Sequence, residues 1–425
     1  MATRKTVTLL LALVMCISCI AVPAAAEGPV TVTFWNGFTG NDGEFIVELV
    51  EQFNQTNPWD IAVELDINAS FQDKFVTAMA SDSGPDMIIH ASSSLYDYQG
   101  QILCLDDLWE NTALKREDFI PTYLDLCTTN EGMMGFPMQA LVSTLYWNKD
   151  LFAQAGLDPD TPPASYDDWT EIAKKITNPD RHIYGSGLSY NAIGQNASIM
   201  QMFGGLMISQ NEDGSYQANF ENNEGYQEFL SWFKAQYDLG LNPVDADIVP
   251  MFLAGQIGMC VDSPALITEL AAYEVNYGIS TLIENDKGGK MVPSFLSCFM
   301  ITRCADDAKK LACERFLEWW FAGDGQMPME ETAVYRWSNE MGYPSFYQPL
   351  SMSEAYQQNK NVAAITITDP EYCSYSLCPP SFPALMPLYG DCLVSLFSKM
   401  VFTDETVTLL TEAQTAAQKI IDSIQ

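Results

Sequence analysis

The chain has 425 residues and a formal net charge of −35, from 55 acidic and 20 basic side chains. No basic surface is available to neutralise phosphates, which excludes nucleic acid as a partner. The length exceeds what one ordinary core fills, so two domains are expected.

Met1 to Lys5 carries Arg4 and Lys5, followed by the apolar run Val7 to Val22 and the small-residue stretch Pro23-Ala24-Ala25-Ala26. A basic start, an apolar middle and an Ala-x-Ala end read as a secretory signal over residues 1–26, its apolar run short for a full membrane span. Export to an extracytoplasmic compartment is expected. Cleavage after Ala26 leaves a free protein; Cys19 or Cys16 would instead give a lipid anchor. Of eleven cysteines, the nine beyond the signal are an odd number, so at least one is free or pairs outside the chain. Cys373 and Cys378 are close enough in sequence to bridge.

Val30 to Phe34 alternates and reads as a strand, with Trp35 to Gly40 as the loop after it. Ile46, Leu49, Val50 and Phe53 recur at helical spacing up to Pro58. Ile61, Val63, Leu65 and Ile67 alternate as a second strand, Phe71, Phe75 and Met79 suit a helix ended by Gly84-Pro85, and Met87 to Ile89 is a short apolar strand. Strand, helix, strand, helix, strand at this spacing implies a parallel sheet. Further on, Tyr166, Trp169, Ile172, Ala173 and Ile176 share one helical face, and Tyr226, Phe229, Leu230, Phe233 and Tyr237 another. Ile257 to Val261 reads as a strand, Ala308 to Phe321 and Thr406 to Ile424 as helices. No low-complexity linker separates two halves, so the chain is expected to cross between domains through tight hinge segments.

Catalytic signatures do not occur: there is no Gly-x-Ser-x-Gly elbow, phosphate-binding Gly-rich loop or His-Glu-x-x-His. His90 and His182 are the only histidines, and neither a Cys-x-x-Cys pair beyond the signal nor calcium-loop spacing appears. No catalytic residue, metal or cofactor is therefore expected. A glycoside hydrolase would need two carboxylates across a sugar, a demand that 55 acidic residues meet by chance. It stays open as an alternative, as does a sensor or adhesin module.

Four segments, in order, resemble family 1 extracellular solute-binding proteins of ABC importers, the maltose-binding-protein-like group. They are Phe34-Trp-Asn-Gly-Phe-Thr-Gly40 with the helix after it, Gly84-Pro-Asp-Met-Ile-Ile89, Gly135-Phe-Pro137 followed by Leu145-Tyr-Trp-Asn-Lys-Asp-Leu-Phe152, and Met251-Phe-Leu-Ala-Gly-Gln-Ile-Gly-Met259. The resemblance implies an α/β periplasmic-binding-protein fold: two α/β lobes with mostly parallel sheets, joined by a hinge that closes on a small ligand. The first lobe would take residues 27–138 and about 297–336, the second about 139–296 and 337–425. It further implies a monomer that hands a mono- or oligosaccharide to the transmembrane permease subunits of the importer.

Ligands of such sheets sit beyond the carboxyl ends of strands, which singles out the loop after the first strand. There Asn36 and Thr39 can hydrogen-bond hydroxyls, while Trp35 and Phe38 offer flat faces for a sugar ring. The resemblance adds His90, Ser93 and Ser94 after the third strand, and Gln139 at the hinge. In the second lobe it adds Asp262 and Ser263, where relatives carry a Trp and this chain has Ala265 and Leu266. Tyr190, Phe203, Phe295, Trp337 and Tyr389 are the aromatics near cleft-facing segments. Asp86 and Asn148-Lys149-Asp150 are expected to hold the fold.

Overall fold

The computed structural model describes residues 28–284, 293–367 and 377–424. The signal, with Cys16 and Cys19, and Cys373 lie outside them. The eight cysteines within them form no disulfide among themselves. None of the described helices is long and apolar enough to cross a membrane.

The chain opens with β1 (Val30–Asn36), α1 (Asn41–Thr56), β2 (Ile61–Ile67), α2 (Phe71–Ala80) and β3 (Met87–Ala91). After shorter elements, β4 (Phe136–Val142) and β5 (Thr144–Asn148) follow with only Ser143 between them. Next come α3 (Tyr166–Ile176), β6 (Tyr184–Gly187), α4 (Ile193–Gly204), α5 (Glu224–Asp238), β7 (Ile257–Asp262) and β8 (Tyr277–Thr281). β9 (Pro293–Ile301), α6 (Asp307–Ala322), α7 (Ala333–Met341) and α8 (Thr406–Ile424) complete the principal elements.

Two main sheets result, one in each lobe, beside two small two-stranded ones. The first has the order β2-β1-β3-β9-β4 and the second β8-β5-β7-β6. β1 is parallel to β2 and β3, while β9 is antiparallel to both β3 and β4. Four of those five strands thus run one way. In the second sheet β7 is parallel to β6, and β5 runs against both β7 and β8. One reversed strand in each sheet is the departure from an all-parallel fold.

The hydrophobic spacing explains the packing. Phe45, Ile46, Leu49, Val50 and Phe53 all turn inward on α1, and Phe53 meets Phe316 and Trp319 of α6 at ring separations of 5.0 and 5.3 Å. In the second lobe all five predicted positions of α3 are buried. Ser165 caps that helix by accepting the Asp168 amide at 3.0 Å. One apolar cluster fills the first lobe and continues into the second sheet at Tyr146, Cys260 and Ile279, and the other is built on α3, α4, α5 and α8.

The short crossover at Ser143 fixes how the sheets face each other. β4 ends at Val142, at the carboxyl edge of the first sheet, and Thr144 opens β5 two residues later. Thr144 pairs with Asp262 and with Thr281, the last residues of β7 and β8. The carboxyl ends of β7 and β8 therefore lie at the crossover, facing the edge at which β1, β3 and β4 end. β9 starts at the same place, with Pro293 paired to Val142.

Candidate ligand cleft

On the first wall, Asn36 ends β1 and is fully buried. Its Oδ1 accepts the Phe38 amide at 2.9 Å, a side-chain turn that bends the chain out of the strand. Its Nδ2 is buried and has no hydrogen-bond partner among the described residues. An orphan donor of this kind costs about 1–3 kcal/mol until something accepts from it. Phe38 stacks on Trp337 at 5.9 Å, and Trp337 stacks in turn on Tyr343 at 6.3 Å with the rings 12° from parallel. The indole Nε1 of Trp337 donates to Gln139 Oε1 at 3.0 Å. Gln139 also hydrogen-bonds Tyr343, whose hydroxyl burial pushes up to about 12. Phe38, Gln139 and Trp337 are thus brought together, and Tyr343 is a member that sequence reasoning did not single out.

Strand alternation sends Trp35 to the face opposite Asn36. There it is half-buried beneath Lys74 of α2, whose Nζ sits 3.9 Å above the ring. Thr39 is exposed. At the end of β3, His90 packs between Phe71 and Tyr98, at 5.6 and 5.5 Å, and its Nε2 meets Gln72. Burial lowers its pKa, so the ring is neutral at pH 7. Ser93 and Ser94 lie in the tight turn Ser92–Ser94 that follows, Ser94 buried and Ser93 half-buried.

On the second wall, the carboxyl ends of β6 and β7 open onto a cavity of about 490 Å³. Tyr190, Asn191, Asp245, Asp247 and Asp262 line it. The Tyr190 hydroxyl donates to Asp245 Oδ1 at 2.5 Å. Asp245 itself has φ 50°, a left-handed conformation that aspartate tolerates better than most residues and that marks local constraint. Asp262 accepts the Ser263 amide at 2.7 Å, and burial holds its carboxyl above the usual range. The Ser263 carbonyl accepts the Tyr146 hydroxyl at 2.9 Å.

Other candidates sit apart. Phe203 is buried in the second core, 4.4 Å from Tyr166 and 5.7 Å from Phe229. Tyr389 packs against the same core from a single π-helical turn, Leu388–Leu393. Phe295 lies in β9 opposite Leu141, and its side chain is outside the described residues. Asp86 lies behind the sheet, accepting the Thr33 amide at 2.8 Å and Lys309 at 2.9 Å. Asn148 caps its helix by accepting the Leu151 amide at 3.0 Å, and Asp150 ties down Asn276 at 2.7 Å. Asp245 and Asp247 escaped sequence reasoning because nothing distinguishes them among so many acidic residues.

Residues 39–294, more than half of the chain, match the sequence profile of a family described as bacterial extracellular solute-binding protein. The sn-glycerol-3-phosphate-binding periplasmic protein UgpB of Brucella abortus (strain 2308) is 22% identical over 320 residues, 70% of this chain and 72% of its own. The cyclic alpha-maltosyl-1,6-maltose binding protein from Arthrobacter globiformis superposes with a TM-score of 0.73 at 19% identity, covering 93% of this chain and 100% of that one. The sugar-binding protein MalE from Xanthomonas citri gives 0.74 at 16% identity, covering 93% and 98%. Those two structures share the two-lobed fold, and the facing sheet ends, with a cavity at the carboxyl ends of β6 and β7, fit a protein that holds a small solute. The chain belongs to the bacterial extracellular solute-binding proteins.

Proposed function

We propose that this protein captures a neutral saccharide between its lobes, by hinge closure, and delivers it to the permease of an ABC importer without altering it. The observation that carries the reading is the composition of the two facing walls. One presents Asn36 with a free amide donor, beside the stacked rings of Phe38, Trp337 and Tyr343. The other presents carboxylates and a tyrosine. Ring faces with fixed acceptors and donors suit a sugar's apolar faces and its rim of hydroxyls. Relatives bind either a glycerol phosphate or a sugar. Asp245, Asp247 and Asp262 favour the sugar, because among the described residues lining that cavity there is no lysine or arginine to neutralise a phosphate.

Export through the signal and a monomeric state complete the proposal, with lobes built from 27–138 with about 297–336 and from about 139–296 with 337–425, except that Trp337 and Tyr343 pack on the first wall. Calorimetry against neutral mono- and oligosaccharides and sn-glycerol 3-phosphate tests it. A sugar should bind tightly and be recovered unchanged, and Asn36→Ala should weaken it about tenfold or more by removing the orphan donor. Binding of the phosphate alone, or release of shorter sugars, would overturn the reading.

A further inference from the structure

Two of the unbonded thiols face each other inside the first lobe. Cys127, fully buried, stands just before a small hairpin whose strands are Thr128–Thr129 and Gly132–Met133. Its carbonyl accepts the amides of Met134 and Gly135, at 2.9 and 3.3 Å. Cys298, equally buried, lies within β9. Phe299 beside it packs on Phe316 and Trp320 of α6, so strand alternation turns Cys298 to the opposite face of the sheet. A Cβ at Gly135 would stand 3.1 Å from Cys298 Sγ, which puts that sulfur against the segment that the Cys127 carbonyl holds.

The two thiols meet there. Cys298 donates its proton to the His90 carbonyl at 3.4 Å, and the Cys127 thiol hydrogen-bonds the Cys298 sulfur. The ladder between β9 and β4 is irregular at this point: Ser297 pairs with Gln139 and Cys298 with Pro137, so the pairing skips Met138. A bulge of this kind re-aims a side chain. Other thiols have partners of another sort. Cys304 meets Met79 Sδ at 3.8 Å, and Cys392 donates to the Ala413 carbonyl at 3.4 Å. Burial holds the Cys127 thiol well above its usual range, so no thiolate is available there once the lobe has closed. Oxidation of the pair therefore belongs to the folding chain, while β9 is still docking.

We infer that Cys127 and Cys298 close a disulfide as the exported chain folds, stapling β9 to the segment before the small hairpin. The inference rests on the export reading above, since the compartment must supply an oxidant of the disulfide class, R–S–S–R. One thiolate of the folding chain attacks that oxidant, forming a mixed disulfide and releasing one R–SH. The second thiolate then displaces the other R–SH and forms the bond between Cys127 and Cys298. Two protons and two electrons pass from the protein to the oxidant. The sulfurs have only to close from hydrogen-bonding distance to a bond length of about 2.0 Å. Because Cys298 pairs with His90 of β3, the staple also fixes the end of that strand.

The test refolds the full chain, first reduced and denatured, in a mixture of oxidised and reduced glutathione. Remaining thiols are blocked with N-ethylmaleimide in denaturant, and the peptides are mapped by mass spectrometry without reduction. The Cys127 and Cys298 peptides should be linked to each other. Alkylation of both, or linkage of either to other cysteines instead, overturns the staple. Reductant should lower the melting temperature of the oxidised protein by roughly 5–10 °C, as expected for a bond that closes a long loop, and leave that of Cys127→Ala unchanged. An equal drop in the two proteins assigns the effect to another bond and overturns the staple. If Cys127→Ala does not fold, the peptide map of the unchanged chain decides alone. Refolding in glutathione does not depend on where the chain resides, so its failure overturns the staple and leaves the export reading standing. Recovery of the protein from outside the membrane with the bond closed supports both, whereas recovery from the cytoplasm alone overturns export and the staple with it.

Discussion

Asp86, expected from the sequence to hold the fold, is tied up by several partners in the structure. It is 2% exposed and serves three donors: the amide and hydroxyl of Thr33, at 2.8 and 2.9 Å, and Lys309. It therefore joins β1, β3 and α6. Asp86→Ala would leave a buried strand amide unpaired and release Lys309, which can still reach water, so a loss of about 2–4 kcal/mol is expected. Asp86→Asn, which can still accept from Thr33, should lose less. Urea unfolding of the two variants side by side checks both statements.

Asp262 gives a pH dependence with a defined sign. Burial raises its folded pKa, so the unfolded chain gives up that proton more readily than the folded one. Between the unfolded and folded pKa values the native state binds more protons, and stability falls as pH rises through that window. At neutral pH the charged carboxylate is a net cost. Asp262→Asn keeps an acceptor for the Ser263 amide and should raise the melting temperature at pH 7. That gain should shrink as the pH is lowered past the raised pKa. A gain that is constant with pH would show that ionisation of Asp262 is not its source.

At the level of elements, the loop that carries Asn36 and Phe38 depends on a glycine in the helix after it. A Cβ at Gly43 would come within 2.3 Å of the Phe38 carbonyl oxygen. Gly43→Ala must push the loop and α1 apart, at about 1–3 kcal/mol. It should weaken ligand binding as well, since Phe38 moves with its carbonyl. Parallel melting and calorimetry should show both losses together.

The elements themselves were largely legible. Phe45, Ile46, Leu49, Val50 and Phe53 on α1, and Tyr166 to Ile176 on α3, are one-sided enough for period alone to find them. The reversed strands were not legible, because β9 finds its partners β3 and β4 far away in sequence and no local pattern encodes that pairing. The site followed the same division. Asn36 and Phe38 were singled out because they stand at and just beyond the end of a recognisable strand. Tyr343 and Asp245 come from irregular segments, where position depends on tertiary contacts and composition gives no signal.

For the whole molecule, the connection with the least slack is Ser143, which passes between the sheets with its hydroxyl hydrogen-bonded to Ser198 of α4 at 2.9 Å. The strands on either side are fully paired, so rotation of one lobe against the other should concentrate there. Small-angle scattering should give a smaller radius of gyration at saturating sugar than without it. An unchanged radius would mean that binding occurs without closure.

The place of β9 between β3 and β4 also bears on the order in which the molecule can assemble. When residues 28–142 have been made, β1, β2 and β3 can pair, but β3 and β4 each lack the neighbour that will separate them, and that neighbour is not synthesised until residues 293–301. The second lobe's sheet is complete by Thr281, before the first lobe's is. Most of the chain must therefore emerge before the earlier half can close, a high-contact-order arrangement that slows folding. Delay of that kind would keep a nascent chain unfolded long enough to be threaded across a membrane. A fragment ending before Pro293 should accordingly fail to show a cooperative transition for its first lobe, while the full chain refolds slowly to a single native state.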